Sequence, residues 1–159
     1  MGFFDKVGDV LSNTGREISA SAKNVADTSN LNSQIRAQQT LIQSLYKELG
    51  EKYYEESLKI KRELEDRAGE SNTLHNIATI NLKQNNLEKA KKYYEEALLI
   101  SREINYPLGE SQTLCGLGEV YDKSNSFIEA REYYNKGLQI SRSLGDKYTE
   151  SEILKNLAD

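Results

Sequence analysis

The chain has 159 residues, of which 37% are hydrophobic and 29% charged, and a net charge of −4 gives a pI of about 5.2. A nucleic-acid-binding surface needs clustered Lys and Arg, so this acidic balance argues against a nucleic-acid partner. The length suits one domain with a sizeable core, and the single cysteine, Cys115, excludes an internal disulfide. One proline and no tryptophan favour an all-α protein, and the whole composition predicts a soluble, cytoplasmic one.

Residues 1–30 form an N-terminal segment that is rich in Ser, Thr and Asn and carries a narrow helical stripe of apolar residues. The segment lacks the apolar core of a signal peptide, and no stretch of the chain approaches the ~20 apolar residues of a transmembrane helix. The segment is either a loosely ordered arm, a helix that packs on the rest of the protein, or a helix that lies on a membrane surface, with Phe3, Phe4, Val7 and Leu11 as its anchors. The opening Met-Gly-Phe-Phe-Asp-Lys resembles small bacterial proteins that often end in a zinc ribbon, but the cysteines of such a ribbon are missing here.

Residues 31–65 predict one long helix, which Gly50 weakens by about 1 kcal/mol without breaking it. The first half carries a short heptad-like stripe, formed by Ile35, Ile42, Leu45 and Leu49. This stripe either packs onto the protein's own repeats or forms a coiled-coil homodimer through residues 31–49, and fewer than three clear heptads are present. The second half resembles the second helix of the repeat units that follow.

Three similar blocks recur at a spacing of 40 residues, each with a Tyr-Tyr pair near its start: Lys52–Ile60, Lys92–Ile100 and Glu132–Ile140. The intervening segments keep the same register, as the leucines Leu74, Leu114 and Leu154 illustrate. A fixed period in this range marks an array of similar structural units.

Each period contains two helices, because its apolar and small residues recur with helical rather than strand spacing. Short polar turns at residues 84–86 and 124–126 separate the two helices of each unit. The complete units are predicted at residues 69–104 and 109–144, and residues 148–159 read as a capping or truncated first helix. Since about three stacked units are usually needed for stability, the half-repeat in residues 31–65 helps to complete the array.

These residues resemble the tetratricopeptide repeat. In that family, small residues at three positions let the helices approach closely, and they map to Ala78, Ala90 and Ala97 and then to Gly118, Ala130 and Gly137. The period of 40 exceeds the family's usual ~34, and the motif's Trp and closing Pro are absent. Forty-residue versions look like those of polarity adaptors and bacterial peptide-sensing regulators. Over about residues 50–159, the resemblance implies an all-α solenoid of antiparallel helical hairpins, preceded here by a long N-terminal helix.

No catalytic or metal-binding motif is visible in the sequence. His75 is the only histidine, and no cluster of residues has the spacing of a metal site. Cys115 occupies the position equivalent to His75 in the next unit, and neighbouring first helices lie at or beyond the packing distance of ~10 Å, which disfavours a catalytic pair. The sequence therefore predicts a non-enzyme that needs no cofactor.

In tetratricopeptide arrays, the side of each first helix that faces away from the core lines a concave groove that binds peptides. Asn76 and Asn156 match the position where the family often uses Asn to bond a peptide backbone, while Gly116 interrupts the series. Amides suit such a ligand because each offers a donor and an acceptor, although an ordinary solvated face is the alternative. Cys115 and Gly116 fall on the same predicted side. We call the following predicted residues the groove face: Asn72, His75, Asn76, Thr79, Lys83, Gln112, Glu119, Lys123, Glu152, Lys155 and Asn156.

The sequence thus predicts an adaptor or scaffold that binds a protein or peptide segment on the concave face of a short tetratricopeptide-like array. Two alternatives come from other classes of protein. One is a peripheral membrane scaffold that uses the N-terminal segment, and the other is a coiled-coil structural oligomer that uses residues 31–49.

Overall fold

The computed structural model describes residues 12, 13, 16 and 28–158. Its helices within the range 28–158 are α1 (Thr28–Glu63), α2 (Arg67–Lys83), α3 (Leu87–Glu103), α4 (Pro107–Lys123), α5 (Phe127–Leu144) and α6 (Lys147–Ala158). The predicted all-α class, with a long helix ahead of helical hairpins, is confirmed. Among the described residues, no helix is long and apolar enough to cross a membrane. The predicted membrane contacts, Phe3, Phe4, Val7 and Leu11, lie outside the described residues, as does Asp159.

The chain divides into two compact units, Met1–Gly50 and Glu51–Asp159. In the first unit, Ile35, Ile42 and Leu45 of α1 are half-buried, whereas Leu49 is 37% exposed. Self-association through residues 31–49 stays a prediction. The second unit contains the helical hairpins and the groove face.

Every helix from α1 to α5 ends in the same type of turn. A residue with positive φ recurs every 20 positions: Glu65 (54°), Asn85 (61°), Asn105 (58°), Asn125 (59°) and Gly145 (71°). After α2, the N–H of Asn86 donates to the carbonyl of Asn81 at 2.9 Å and that of Asn85 donates to Leu82 at 3.0 Å, the bond pattern of a Schellman motif. The 40-residue period is therefore two helices that end in equivalent turns.

Three core clusters hold the second unit together. The first joins residues 51–63 of α1 to α2 and α3, with Leu58, Leu74 and Ile100 among its members. The second lies between α2, α3 and α4, and the third between α4, α5 and α6. Burial of these apolar side chains, worth roughly 1.5–3 kcal/mol for each large one, is the main stabilising term of the array.

Small residues set how closely the two helices of a unit approach. The six positions matched to the family motif are all buried: Ala78, Ala90, Ala97, Gly118, Ala130 and Gly137. At the same contacts, the hydroxyl of Ser71 donates to the carbonyl of Ala97 and that of Ser111 donates to Gly137, both at 3.1 Å. A larger side chain at these positions would push the helices apart.

An ion pair recurs at the junction between units. Arg62 contacts Glu70 at 2.7 Å, Arg102 contacts Glu110 at 2.7 Å, and Arg142 contacts Glu150 at 2.9 Å, so that the pairs are one period apart. Each pair links the end of a second helix to the first turn of the next first helix. Burial alone would raise the pKa of Glu70, but hydrogen bonds from Arg62 and Arg67 outweigh it and lower that pKa.

The last helix keeps the register of the core but leaves one of its leucines exposed. Leu74 and Leu114 are fully buried, but Leu154 at the equivalent position of α6 is 42% exposed. Ile153 is fully buried in the third core cluster, and its counterparts Thr73 and Thr113 are also buried. Leu154 is exposed because no described helix packs on the side of α6 where α3 covers Leu74.

Candidate peptide-binding surface

The groove face runs over α2, α4 and α6, the first helices of successive units. α2 contacts α4 and α4 contacts α6, so the three helices lie side by side, and α3 and α5 pack against their other sides. Six side chains of the groove face are exposed: Asn72, Asn76, Lys83, Lys123, Glu152 and Lys155. These six are directly accessible to another molecule.

The other five groove-face residues are half-buried: His75, Thr79, Gln112, Glu119 and Asn156. The His75 ring lies edge-on to Tyr94, with 5.3 Å between ring centroids, and its Nδ1 is 3.4 Å from the hydroxyl of Thr113. Burial lowers the pKa of His75 to about 4. The imidazole is therefore neutral at neutral pH and adds no positive charge to the groove face.

Tyr94 lies beneath the groove face and contacts both α2 and α4. It starts on α3, is almost fully buried, and brings its hydroxyl within 2.9 Å of the Thr79 hydroxyl on α2. The ring passes over Gly116 of α4, where an added Cβ would lie only 2.4 Å from the Tyr94 Cζ atom. Gly116 is thus required for space, because any side chain there would collide with the ring.

Glu119 is the main polar residue at the contact between α4 and α6. Its Oε1 atom accepts a hydrogen bond from Asn156 Nδ2 at 3.4 Å, which links α4 to α6. Burial raises the pKa of Glu119, and the charge of Glu152 on α6 raises it further, while the Asn156 bond and the charges of Lys123 and Lys83 act in the opposite direction. A partly desolvated carboxylate beside a second one favours a cationic group between them.

Two residues expected on the groove side are buried instead. Cys115 is 3% exposed and lies in the third core cluster with Ile153, because α6 packs over it. Burial raises the pKa of the Cys115 thiol, as do the charges of Glu119 and Glu152, so the sulfur stays protonated. Gly116 lies under the Tyr94 ring. The expectation that both residues face the groove is wrong.

Over the described ranges, no group of three or more His, Cys, Asp or Glu side chains is placed to hold a metal ion. The neutral His75 and the protonated Cys115 are both occupied in packing between helices. What the groove face offers chemically is hydrogen bonding by amides and pairing with charged groups.

A family model of the tetratricopeptide repeat matches residues 48–103 and 71–143, which together span more than half of the sequence. The chain belongs to the tetratricopeptide repeat family. Repeats of this family mediate protein–protein interactions, and their helical fold is typically a non-catalytic scaffold. No curated protein matches the sequence.

The fold of this tetratricopeptide protein is similar to the crystal structure of BtubC (BKLC) from P. vanneervenii, with a TM-score of 0.64 and 19% sequence identity. The match covers 94% of this chain and 63% of BtubC, so this chain spans less than two thirds of the length of BtubC. At this level of identity, the likeness shows the fold alone.

Sequence reasoning missed the part that Tyr94 plays in this tetratricopeptide array. Its position predicts a core aromatic, and only the structure shows the hydroxyl reaching Thr79. The available signal was Gly116, a residue without a side chain at the position where the neighbouring units carry Asn76 and Asn156. A glycine in mid-helix is unfavourable and therefore indicates a close contact.

Proposed function

We propose that this chain is an adaptor or scaffold that binds an extended segment of a partner protein along the groove face. The observation that carries the proposal is the row of exposed polar side chains on three adjacent first helices. Asn72 and Asn76 present amides, and Lys83 and Lys123 present positive charge one period apart. An extended segment has unpaired backbone N–H and C=O groups, and an amide can bond to both kinds.

The charges of the groove face favour a partner segment of mixed charge. Glu119 and Glu152 lie close enough to raise the pKa of Glu119, so a Lys or Arg of the partner placed between them relieves their repulsion. Lys83 and Lys123 attract Asp or Glu. The groove face contains no large apolar side chain, so charge and hydrogen bonding supply its specificity.

Selection from a displayed library of random peptides tests this proposal. The wild-type chain serves as bait, and a groove variant with Asn76→Ala, Lys83→Ala and Glu152→Ala serves for counter-selection. The matched control carries Asn135→Ala, Lys92→Ala and Glu132→Ala, which replace the same residue types at exposed positions on α3 and α5. Enriched peptides are then synthesised and their affinities measured by calorimetry.

The proposal expects peptides that bind the wild type and the control equally. The same peptides should bind the groove variant at least about fivefold more weakly for each replaced side chain that touches them, since one such interaction is worth roughly 1 kcal/mol. The selected sequences should combine basic and acidic residues. Equal binding to the groove variant, weaker binding to the control, or the absence of any enriched peptide would contradict the proposal.

A structural oligomer through residues 31–49 is the second candidate function. It is favoured by exposed apolar side chains on α1 within the first unit, where Leu49 of the stripe is 37% exposed and the neighbouring Leu41 and Tyr46 are 41% and 71% exposed. Light scattering of the wild type should then give a dimer that dissociates in Ile42→Asp, because a charge at a coiled-coil seam is costly. A mass of 18.0 kDa for the wild type would remove this candidate.

A further inference from the structure

Residues 51–63 of α1 occupy the place of a second helix, but this unit has no first helix paired with them in a hairpin. Leu58 belongs to the first core cluster as Leu98 belongs to the second, so this segment packs against α2 as α3 packs against α4. Residues 44–46, one period before the turn at 84–86, lie inside α1, which is helical throughout. This unit therefore has a second helix but lacks the turn that would join it to a first helix.

Apolar side chains remain exposed on this segment where the first complete unit buries them. Ile60 is 45% exposed, whereas its counterpart one period later, Ile100, is 3% exposed. Tyr53 and Leu64 are 68% and 69% exposed, whereas their counterparts Tyr93 and Ile104 are half-buried against the first core cluster. We call residues 51–64 the open second helix.

Helix α6 lacks the other partner, since α5 packs on one of its sides but no described second helix covers the side that α3 covers on α2. Leu154 is 42% exposed while its counterparts in α2 and α4 are fully buried. Leu157 is half-buried, whereas Leu117 is fully buried. We call α6 the open first helix.

We propose that the open first helix of one copy of this chain packs against the open second helix of another copy and completes a repeat between them. The first core cluster supplies the template, because there Leu74 and Ile77 of a first helix pack with Ala97 and Ile100 of a second. The equivalent residues at the two open helices are Leu154 and Leu157 on one side and Ser57 and Ile60 on the other. The same four positions thus recur, divided between the two ends of the chain.

Polar groups at the two open helices are complementary in the same register. In the complete unit, Arg67 at the start of α2 pairs with Glu103 at the end of α3. The equivalent residues are Lys147, whose side chain is 83% exposed, and Glu63, which is exposed. Ser151 is likewise the counterpart of Ser71, which donates to a backbone carbonyl of the second helix.

This contact joins two different surfaces, so it is heterologous and generates a linear series or a closed ring rather than a two-fold dimer. Two short helices form an interface at the small end of the usual range, which is typical of weak and reversible association. Each contact extends the row of first helices, so that groove faces of successive copies become continuous.

Sedimentation velocity and light scattering on the 159-residue chain test the proposal, from low micromolar to submillimolar concentration. The wild-type mass should rise with concentration above 18.0 kDa. Ile60→Asp and Leu154→Asp should each weaken self-association at least about tenfold, because each places a charge in the apolar contact. The matched controls are Leu99→Asp and Ile128→Asp, which alter exposed apolar residues outside both open helices.

Mixing the two variants gives the most specific readout. Ile60→Asp retains an intact open first helix and Leu154→Asp an intact open second helix, so the mixture should form a 1:1 complex of twice the chain mass that grows no further. Lys147→Glu together with Glu63→Lys in one chain should associate better than either single variant. Circular dichroism checks that every variant keeps its helicity.

A wild type that stays at 18.0 kDa at every concentration would overturn the proposal. So would association that survives both Asp variants, or that disappears only in Ile42→Asp, because the interface would then lie in residues 31–49. Failure of the two variants to complement each other, with both folded, would also overturn it.

Discussion

The two complete repeat units have almost the same core but different groove faces. Tyr94 and Tyr134 occupy equivalent positions and are equally buried, as are Ala78 and Gly118 beneath them. On the groove face, Thr79 of the first unit shares a hydrogen bond with a tyrosine hydroxyl and carries no charge, whereas Glu119 of the second unit presents a partly desolvated carboxylate. The packing of helices therefore leaves the groove side free to vary in charge.

The residue that follows on the next first helix differs as well. Gly116 leaves room for the Tyr94 ring, so the Tyr94 hydroxyl reaches Thr79. At the equivalent position of α6, Asn156 carries an amide that bonds to Glu119 and also to Tyr134. Two positions thus distinguish the contacts between units: Thr79 and Gly116 in the first, and Glu119 and Asn156 in the second.

The largest difference in stability is expected between Gly116→Leu and Asn76→Leu, which places the same side chain one period earlier. Gly116 is buried against Tyr94, so Leu there should lower the free energy of unfolding by about 3 kcal/mol through overpacking. Asn76 is exposed, so its variant should stay within about 0.5 kcal/mol of the wild type. Urea unfolding followed by circular dichroism measures both values.

Tyr94→Ala provides the control, because Gly116→Leu should cost less free energy in the Tyr94→Ala background than in the wild type, where the ring is present. Equal stability of Gly116→Leu and Asn76→Leu would show that the packing between α3 and α4 leaves room for a side chain at position 116.

The second comparison concerns the left-handed turns. Glu65 is the residue least suited to its positive φ among the five, so Glu65→Gly should raise the free energy of unfolding by about 1 kcal/mol. Gly145→Ala, at the equivalent turn two periods later, should lower it by about 1 kcal/mol. Thermal unfolding of both variants checks the opposite signs, and a decrease in stability in Glu65→Gly would contradict the turn assignment.

The fold was predictable because the residues that repeat with the 40-residue period are those that pack between helices. The family, the all-α class and the long first helix are confirmed, since small and apolar side chains at helical spacing admit few other structures. The equivalence of the five turns was only partly visible, because the apolar Leu64 and Ile104 precede Glu65 and Asn105, whereas residues 84–86 form an uninterrupted polar run. A Schellman turn is defined by backbone geometry, which several residues can adopt.

The groove face was less predictable because exposure depends on which helix comes next. Cys115 and His75 occupy equivalent positions, yet Cys115 is buried by α6. Leu154 shows the converse, since it repeats Leu74 and Leu114 in the sequence yet is 42% exposed, with no described second helix over it on the side where α3 covers Leu74. Periodicity therefore predicts which residues are equivalent, but the neighbouring helix decides which of them a ligand could reach.

The repeated ion pairs provide a third and smaller comparison. The side chain of Glu70 is 6% exposed and that of Glu110 is 22% exposed, so solvent screens the second pair more. A double-mutant cycle with Arg62→Ala and Glu70→Ala should give a coupling of about 0.5 kcal/mol after allowance for the exposed arginine. The cycle with Arg102 and Glu110 should give less, and a reversed order would show that burial of the carboxylate does not set the coupling.

The smallest effect is expected at Glu119, where the groove faces of the two units differ most in charge. Burial and the charge of Glu152 raise the pKa of Glu119 in the folded state, so folding favours the protonated carboxyl group. The stability that this protonation contributes is lost as the pH rises through the folded-state pKa. Glu119→Gln should therefore raise the free energy of unfolding at pH 7 by a few tenths of a kcal/mol, since solvent screens a half-buried group. The gain should shrink as the pH falls below the pKa of Glu119, whereas Thr79→Val, which removes a neutral hydroxyl at the equivalent position, should show no such pH dependence. Urea unfolding at pH 7 and at pH 4 measures both, and a Glu119→Gln effect that is unchanged between the two would show that the carboxylate is fully solvated.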